Sequence, residues 1–79
     1  MNQVGGRVKE RRLALGITQD ALCGRIALST EASWNPTWRD MVRIESGTRI
    51  VSDLEVLALA QALECLPCWL LVGERPSSP

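Results

Sequence analysis

The chain has 79 residues, 46% of them apolar, and nine Lys and Arg balance nine Asp and Glu. A chain of this size buries only about 60% of the surface its unfolded form exposes, so one domain is expected, and the apolar content argues against general disorder. Phe and Tyr are absent, Trp34, Trp38 and Trp69 are the only aromatics, and no apolar run approaches the roughly 20 residues of a membrane span; this disfavours a β-sandwich, a base-stacking single-strand binder and a membrane protein.

The opening MNQVGGRVKERR lacks the apolar segment of a signal peptide, and a cytoplasmic location is the expectation. Residues 1–17 carry Arg7, Lys9, Arg11 and Arg12 against Glu10, a net +3. Residues 51–79 carry Asp53, Glu55, Glu64 and Glu74 against Arg75, a net −3, so a polarised surface is expected. From Val4 to Leu15, Val8, Leu13, Ala14 and Leu15 interleave with charged residues at helical spacing, which predicts a first helix over 4–15 that stops at Gly16. Thr18 offers an N-cap hydroxyl to a second helix over 18–26, with Ala21, Leu22, Arg25 and Ile26 at amphipathic spacing. Ser, Thr, Asn and Pro then cluster in ALSTEASWNP, which reads as a connector.

Thr37 and Asp40 stand at capping-box spacing for a third helix over 37–45, with Met41 and Ile44 inward and Gly47 at its end. Ser52 and Glu55 form a full S-x-x-E box for a fourth helix over 53–63, with Leu54, Leu57, Ala58 and Leu63 as its expected buried stripe. Pro67 suits a first helical position, so PCWLLVG reads as a fifth helix over 67–72 ending at Gly73. The expected organisation is an all-α domain over residues 1–73 followed by a disordered tail over 74–79.

Histidine is absent, and Cys23, Cys65 and Cys68 complete neither a four-ligand zinc site nor a paired disulfide framework. Cys65-x-x-Cys68 has redox spacing, but Pro67 and the lack of a βαβ context favour two small buried or half-buried apolar residues. Without His, a Gly-rich phosphate loop or paired carboxylates, no catalytic constellation is present, and a non-enzymatic protein is expected; Gly5-Gly6 is too short for a phosphate loop. No cofactor, metal or small-molecule ligand is implied.

Two short Thr-capped helices after a basic first helix are what presents an α-helix to a DNA major groove. The runs RVKERRLALGITQDAL, MVRIESGTR, the fourth-helix segment and PCWLLVG together resemble the lambdoid phage repressor and Cro-like helix-turn-helix family, also called the XRE family, over about residues 5–73. The resemblance implies a five-helix repressor-like domain that binds double-stranded DNA as a homodimer and regulates transcription, as a repressor. By position it implies that Thr18 and Gln19 meet a phosphate, that Trp38, Arg39, Asp40 and Arg43 read bases, that Thr48 and Arg49 add backbone contacts, and that Arg12 and Glu45 form a structural ion pair. The family's tight turn, about four residues, is lengthened here around Ala27–Asn35.

Other readings of the same residues stand beside these. Arg39 and Arg43 also fit a solvated face with Asp40 paired to Arg43, Trp38 also fits a place on the core or against Trp34, and Trp34 reads as a plug under the long turn. Zero net charge and the lengthened turn also fit an XRE-like protein-interaction module that modulates another regulator without touching DNA. The apolar stretch Cys65–Val72 serves either the core or a dimer interface.

Overall fold

The computed structural model describes residues 4–73, so the tail expected over 74–79 lies outside the described residues. Five α-helices follow one another, with no strand among the described residues: α1 (Val4–Leu15), α2 (Gln19–Ser29), α3 (Trp38–Ser46), α4 (Asp53–Ala62) and α5 (Pro67–Val72). No helix among them is long and apolar enough to cross a membrane.

Short polar side chains set the helix starts. The Thr18 hydroxyl accepts from the Ala21 N–H at 3.1 Å, and Ser52 and Glu55 bond each other's backbone N–H groups reciprocally at 3.3 and 3.1 Å. Each cap satisfies N–H groups that have no partner one turn back in the helix. Gly47 ends α3 at φ 82°, where any side chain would crowd the backbone; the Thr48 N–H then reaches the Arg43 carbonyl at 3.0 Å.

One core forms from all five helices, with Val8, Leu22, Ile26, Met41, Ile44, Leu59, Leu63 and Leu70 fully buried. Helix α1 packs on α3 and α5, α2 on α3 and α4, and α4 on α5. On α1 the buried positions are Val4, Val8 and Arg12 at i, i+4 spacing with Gly5 beside Val4, while Leu13, one of the apolar positions of the expected helix, is exposed. Gly5 is there because α1 and α3 touch backbone to backbone: a Cβ at this position would overlap the carbonyl oxygen of Ile44.

The expected stripe on α4 is corrected. Ala58 and Leu63 are buried as expected, but Leu54 and Leu57 are 78% and 53% exposed, and Val56, Leu59, Ala60 and Ala62 complete the buried face. Apolar residues surround DLEVLALAQA almost completely, so its own pattern chooses no face; α2 and α5, which cover one side, make the choice. Helix α2 also runs one turn beyond its expected end at 26, to Ser29. The added turn uses Ala27–Ser29, so the connector is shorter than the sequence suggested. Glu31 and Ala32, both at positive φ, reverse the chain, and the Thr30 hydroxyl lies 2.8 Å from the Ile26 carbonyl while accepting from the Trp34 N–H at 3.3 Å.

The basic N-terminal charge is also redirected. Arg7 Nη1 donates to the Leu70 and Leu71 carbonyls at 3.0 and 3.1 Å. Arg11 donates to those of Leu63 and Glu64 at 2.9 and 3.2 Å, and Arg25 to that of Ala62 at 3.2 Å. These carbonyls close α4 and α5 and have no helical N–H to accept from, so the arginines serve as C-terminal caps aligned with the helix dipole. A run that reads as a basic surface in sequence is thus largely spent inside the fold.

Candidate nucleic-acid interface

Helix α3 is built as a two-faced element. Thr37 and Asp40 form its capping box even though Asp replaces the longer Glu: the Thr37 N–H donates to Asp40 Oδ2 at 3.0 Å and the Asp40 N–H to Thr37 Oγ1 at 3.3 Å. The Thr37 N–H bond holds the Asp40 carboxyl below the usual carboxylate range, so Asp40 is a committed cap and forms no ion pair with Arg43. Met41 and Ile44 are buried; Trp38, Arg39, Val42, Arg43 and Ser46 are exposed. At about 100° per residue, positions 39, 42, 43 and 46 fall on one stripe.

A polar cluster under α3 fixes its azimuth. Arg12 Nε and Nη2 donate to Glu45 Oε2 and Oε1 at 2.7 and 3.1 Å, Arg12 Nη1 donates to the Ile17 carbonyl at 2.9 Å, and Gln19 Nε2 donates to Glu45 Oε1 at 3.2 Å. The Arg12 and Glu45 side chains are 10% and 4% exposed. Glu45 hydrogen bonding raises the Arg12 pKa further above its ordinary value, so the guanidinium stays charged. One cluster thereby joins α1, the start of α2 and the end of α3. Gln19, expected on a phosphate, has committed one of its two amide hydrogens to Glu45, and the other remains for a ligand.

Thr48 and Arg49 sit just past α3 in different roles. The Thr48 hydroxyl lies 3.3 Å from the Arg43 carbonyl and 3.1 Å from the Ser46 hydroxyl, on the exposed side. Arg49 is turned away: its Nη1 and Nη2 donate to Glu55 Oε1 and Oε2 at 3.2 and 2.8 Å, and its guanidinium carbon lies 5.8 Å from the Trp34 ring centroid. That pairing lowers the Glu55 pKa, chiefly through the Arg49 hydrogen bonds. Trp34 packs half-buried against the core, so the lengthened turn is tied through Arg49 to α4.

Among the described residues, the side chains of Lys9, Arg39 and Arg43 form no hydrogen bond or ion pair. Lys9 joins Thr18, Gln19, Val42 and Ser46 around an open concavity between α1, α2 and α3. The structure therefore brings Thr18, Gln19, Trp38, Arg39, Arg43 and Thr48 to exposed or half-exposed positions around α3, and withdraws Arg49 and the acidic group of Asp40. Lys9, Val42 and Ser46 are additions. The 39, 42, 43, 46 spacing is present in the sequence for the last two; Lys9 joins only because α1 crosses α3.

The cysteines supply no second site. Cys23 is buried and Cys65 half-buried, with burial raising both thiol pKa values, while Cys68, expected at least half-buried, is exposed; all three are free thiols. No group of three or more His, Cys, Asp or Glu among the described residues can hold a metal ion. Comparison with protein-family models, curated proteins and solved structures finds no match.

Proposed function

We propose that this chain is a non-enzymatic transcriptional regulator, a repressor of the lambdoid phage repressor and Cro-like kind, that binds specific double-stranded DNA as a homodimer. In this reading α2 lies across the phosphate backbone and α3 enters the major groove. The observation that carries it is the exposed stripe of α3. Two arginines without intramolecular ion pairs stand on a helix whose opposite face is locked by Met41, Ile44 and the Arg12–Glu45 pair. Arg39 and Arg43 can each bond guanine O6 and N7 in bidentate fashion, worth about 1–3 kcal/mol of discrimination per contact. Thr18, Gln19, Lys9 and Thr48 flank the stripe and suit phosphates. The molecule measures 37 × 25 × 24 Å, so two copies side by side can set their α3 helices one DNA turn, about 34 Å, apart.

A second reading, a helical module that modulates another regulator without DNA, is favoured by one observation: most of the chain's cations are consumed internally, and its net charge is zero. Salt dependence separates the two. Selection from a random duplex pool, followed by titration across salt concentrations, is expected to yield a G·C-containing half-site. With Lys9 as the phosphate-neutralising cation of each protomer, since Arg39 and Arg43 face bases, the slope of log K against log salt is expected near about −1 per protomer, at roughly −0.9 per neutralised phosphate. No selected duplex, or binding indifferent to salt, rejects the DNA reading.

A further inference from the structure

The first two residues of α3 form a unit of their own. Trp38 is 51% exposed, whereas Trp34 and Trp69 pack half-buried against the core. The guanidinium carbon of Arg39 lies 5.5 Å from its ring centroid, a cation–π contact on an open surface. Trp38 also borders an open concavity of about 230 Å³ shared with Thr18, Gln19 and Asp20. A solvent-exposed indole with an arginine over its ring offers two different contacts in one place. The contact with the ring restrains the Arg39 side chain before any ligand arrives, and no described residue accepts from its N–H donors.

We propose that Trp38 and Arg39 together read a thymine adjacent to a guanine: Arg39 bonds the guanine O6 and N7, and the Trp38 indole covers the C5 methyl of the thymine. The inference rests on the DNA-binding reading above. Its chemistry follows from what a major groove displays. Guanine offers paired acceptors suited to a guanidinium edge, and the thymine methyl is the apolar group an indole can desolvate. Its spacing follows from the contact distance: consecutive bases rise about 3.4 Å along a strand, so a ring whose centroid lies 5.5 Å from the guanidinium carbon reaches a base next to the one Arg39 bonds.

The test uses the full chain and the duplex it selects, resynthesised with deoxyuridine in place of each thymine beside a guanine, which deletes only the C5 methyl. Burying one methyl is worth about 0.8 kcal/mol, so the unsubstituted protein is expected to bind the uracil duplex about fourfold more weakly per half-site. Trp38→Ala is expected to bind both duplexes more weakly and equally, Trp38→Phe to retain the thymine preference, and both to remain folded by circular dichroism, because the indole is not one of the buried core side chains. A parent protein that binds thymine and uracil duplexes alike, or a Trp38→Ala protein that still distinguishes them, overturns the assignment while leaving DNA binding intact. Failure to select any duplex overturns both.

Discussion

Arg12 is the residue on which the geometry of α3 turns. Its guanidinium satisfies the Glu45 carboxylate and the Ile17 carbonyl together, in a site where Glu45 is 4% exposed. Removing one partner of a buried pair leaves an uncompensated charge and typically costs about 3–5 kcal/mol; Arg12 lies near the rim, so Arg12→Met is expected near the lower end. For a domain of this size that lowers the melting temperature by roughly 12 °C or more, read by circular dichroism. Adding Glu45→Leu removes the orphaned carboxylate and should recover much of the loss. An unshifted melting curve for the single variant rules out the structural role. Arg43 is the opposite case: exposed, unpaired and outside the core. Arg43→Ala should leave the melting temperature within about 2 °C and weaken binding to the selected duplex by roughly 5- to 150-fold, the equivalent of one bidentate guanine contact. Equal affinity for the two proteins removes Arg43 from the interface.

At the scale of the helix, three glycines with the same sequence appearance have different meanings. Gly5 and Gly24 each lie inside a helix, where replacement by Ala gains about 1 kcal/mol of intrinsic helix preference. At Gly24 a Cβ meets nothing within 4 Å, so Gly24→Ala should stabilise by close to that amount. At Gly5 the same methyl group runs into the Ile44 carbonyl, a backbone atom that moves only if α1 and α3 separate. Overpacking of that kind costs about 1–3 kcal/mol and outweighs the helix gain, so Gly5→Ala should be net destabilising. Opposite signs in urea unfolding check the pair. Gly16 differs again, since φ 73° at the end of α1 suits a residue without Cβ. The cap positions Thr18, Thr37 and Ser52 and the terminating Gly16, Gly47 and Gly73 were legible because local backbone chemistry needs no distant partner. The buried face of α4 was not, because a helix apolar on most sides carries no directional signal of its own.

Across the whole molecule, charge is organised to close the fold more than to advertise a surface. Arg7, Arg11 and Arg25 cap carbonyls, Arg12 holds α3, and Arg49 joins the lengthened turn to α4 through Trp34 and Glu55. Glu55 gives this arrangement a pH signature. Arg49 depresses its folded pKa, so the stabilisation is complete above the unfolded carboxylate value near about 4.3 and is lost as pH falls through the lower folded value. Glu55→Gln should therefore melt roughly 4–8 °C below the parent at neutral pH, for a half-exposed pair worth about 1 kcal/mol, and the gap should close under acid. A gap that stays constant from neutral pH to acid excludes the pair as its source.

The all-helical class, the number and approximate places of the five helices, and the inward positions Met41 and Ile44 follow from local sequence, since caps, terminators and a strongly two-sided α3 act within a turn or two of the chain. The sequence also contains the residue types of the candidate interface. Which cations face outward depends on the packing of the helices. Arg11 and Arg43 look alike in sequence, yet the side chain of one finds unpartnered carbonyls just past the end of α4 and the side chain of the other meets no described partner. The tertiary structure likewise decides that Gln19 shares its amide with Glu45, that Leu54 and Leu57 are left on the surface, and that Trp38 stands beside Arg39 in the open. Each depends on elements distant in the chain or on side-chain orientation, and neither residue type nor local spacing specifies them.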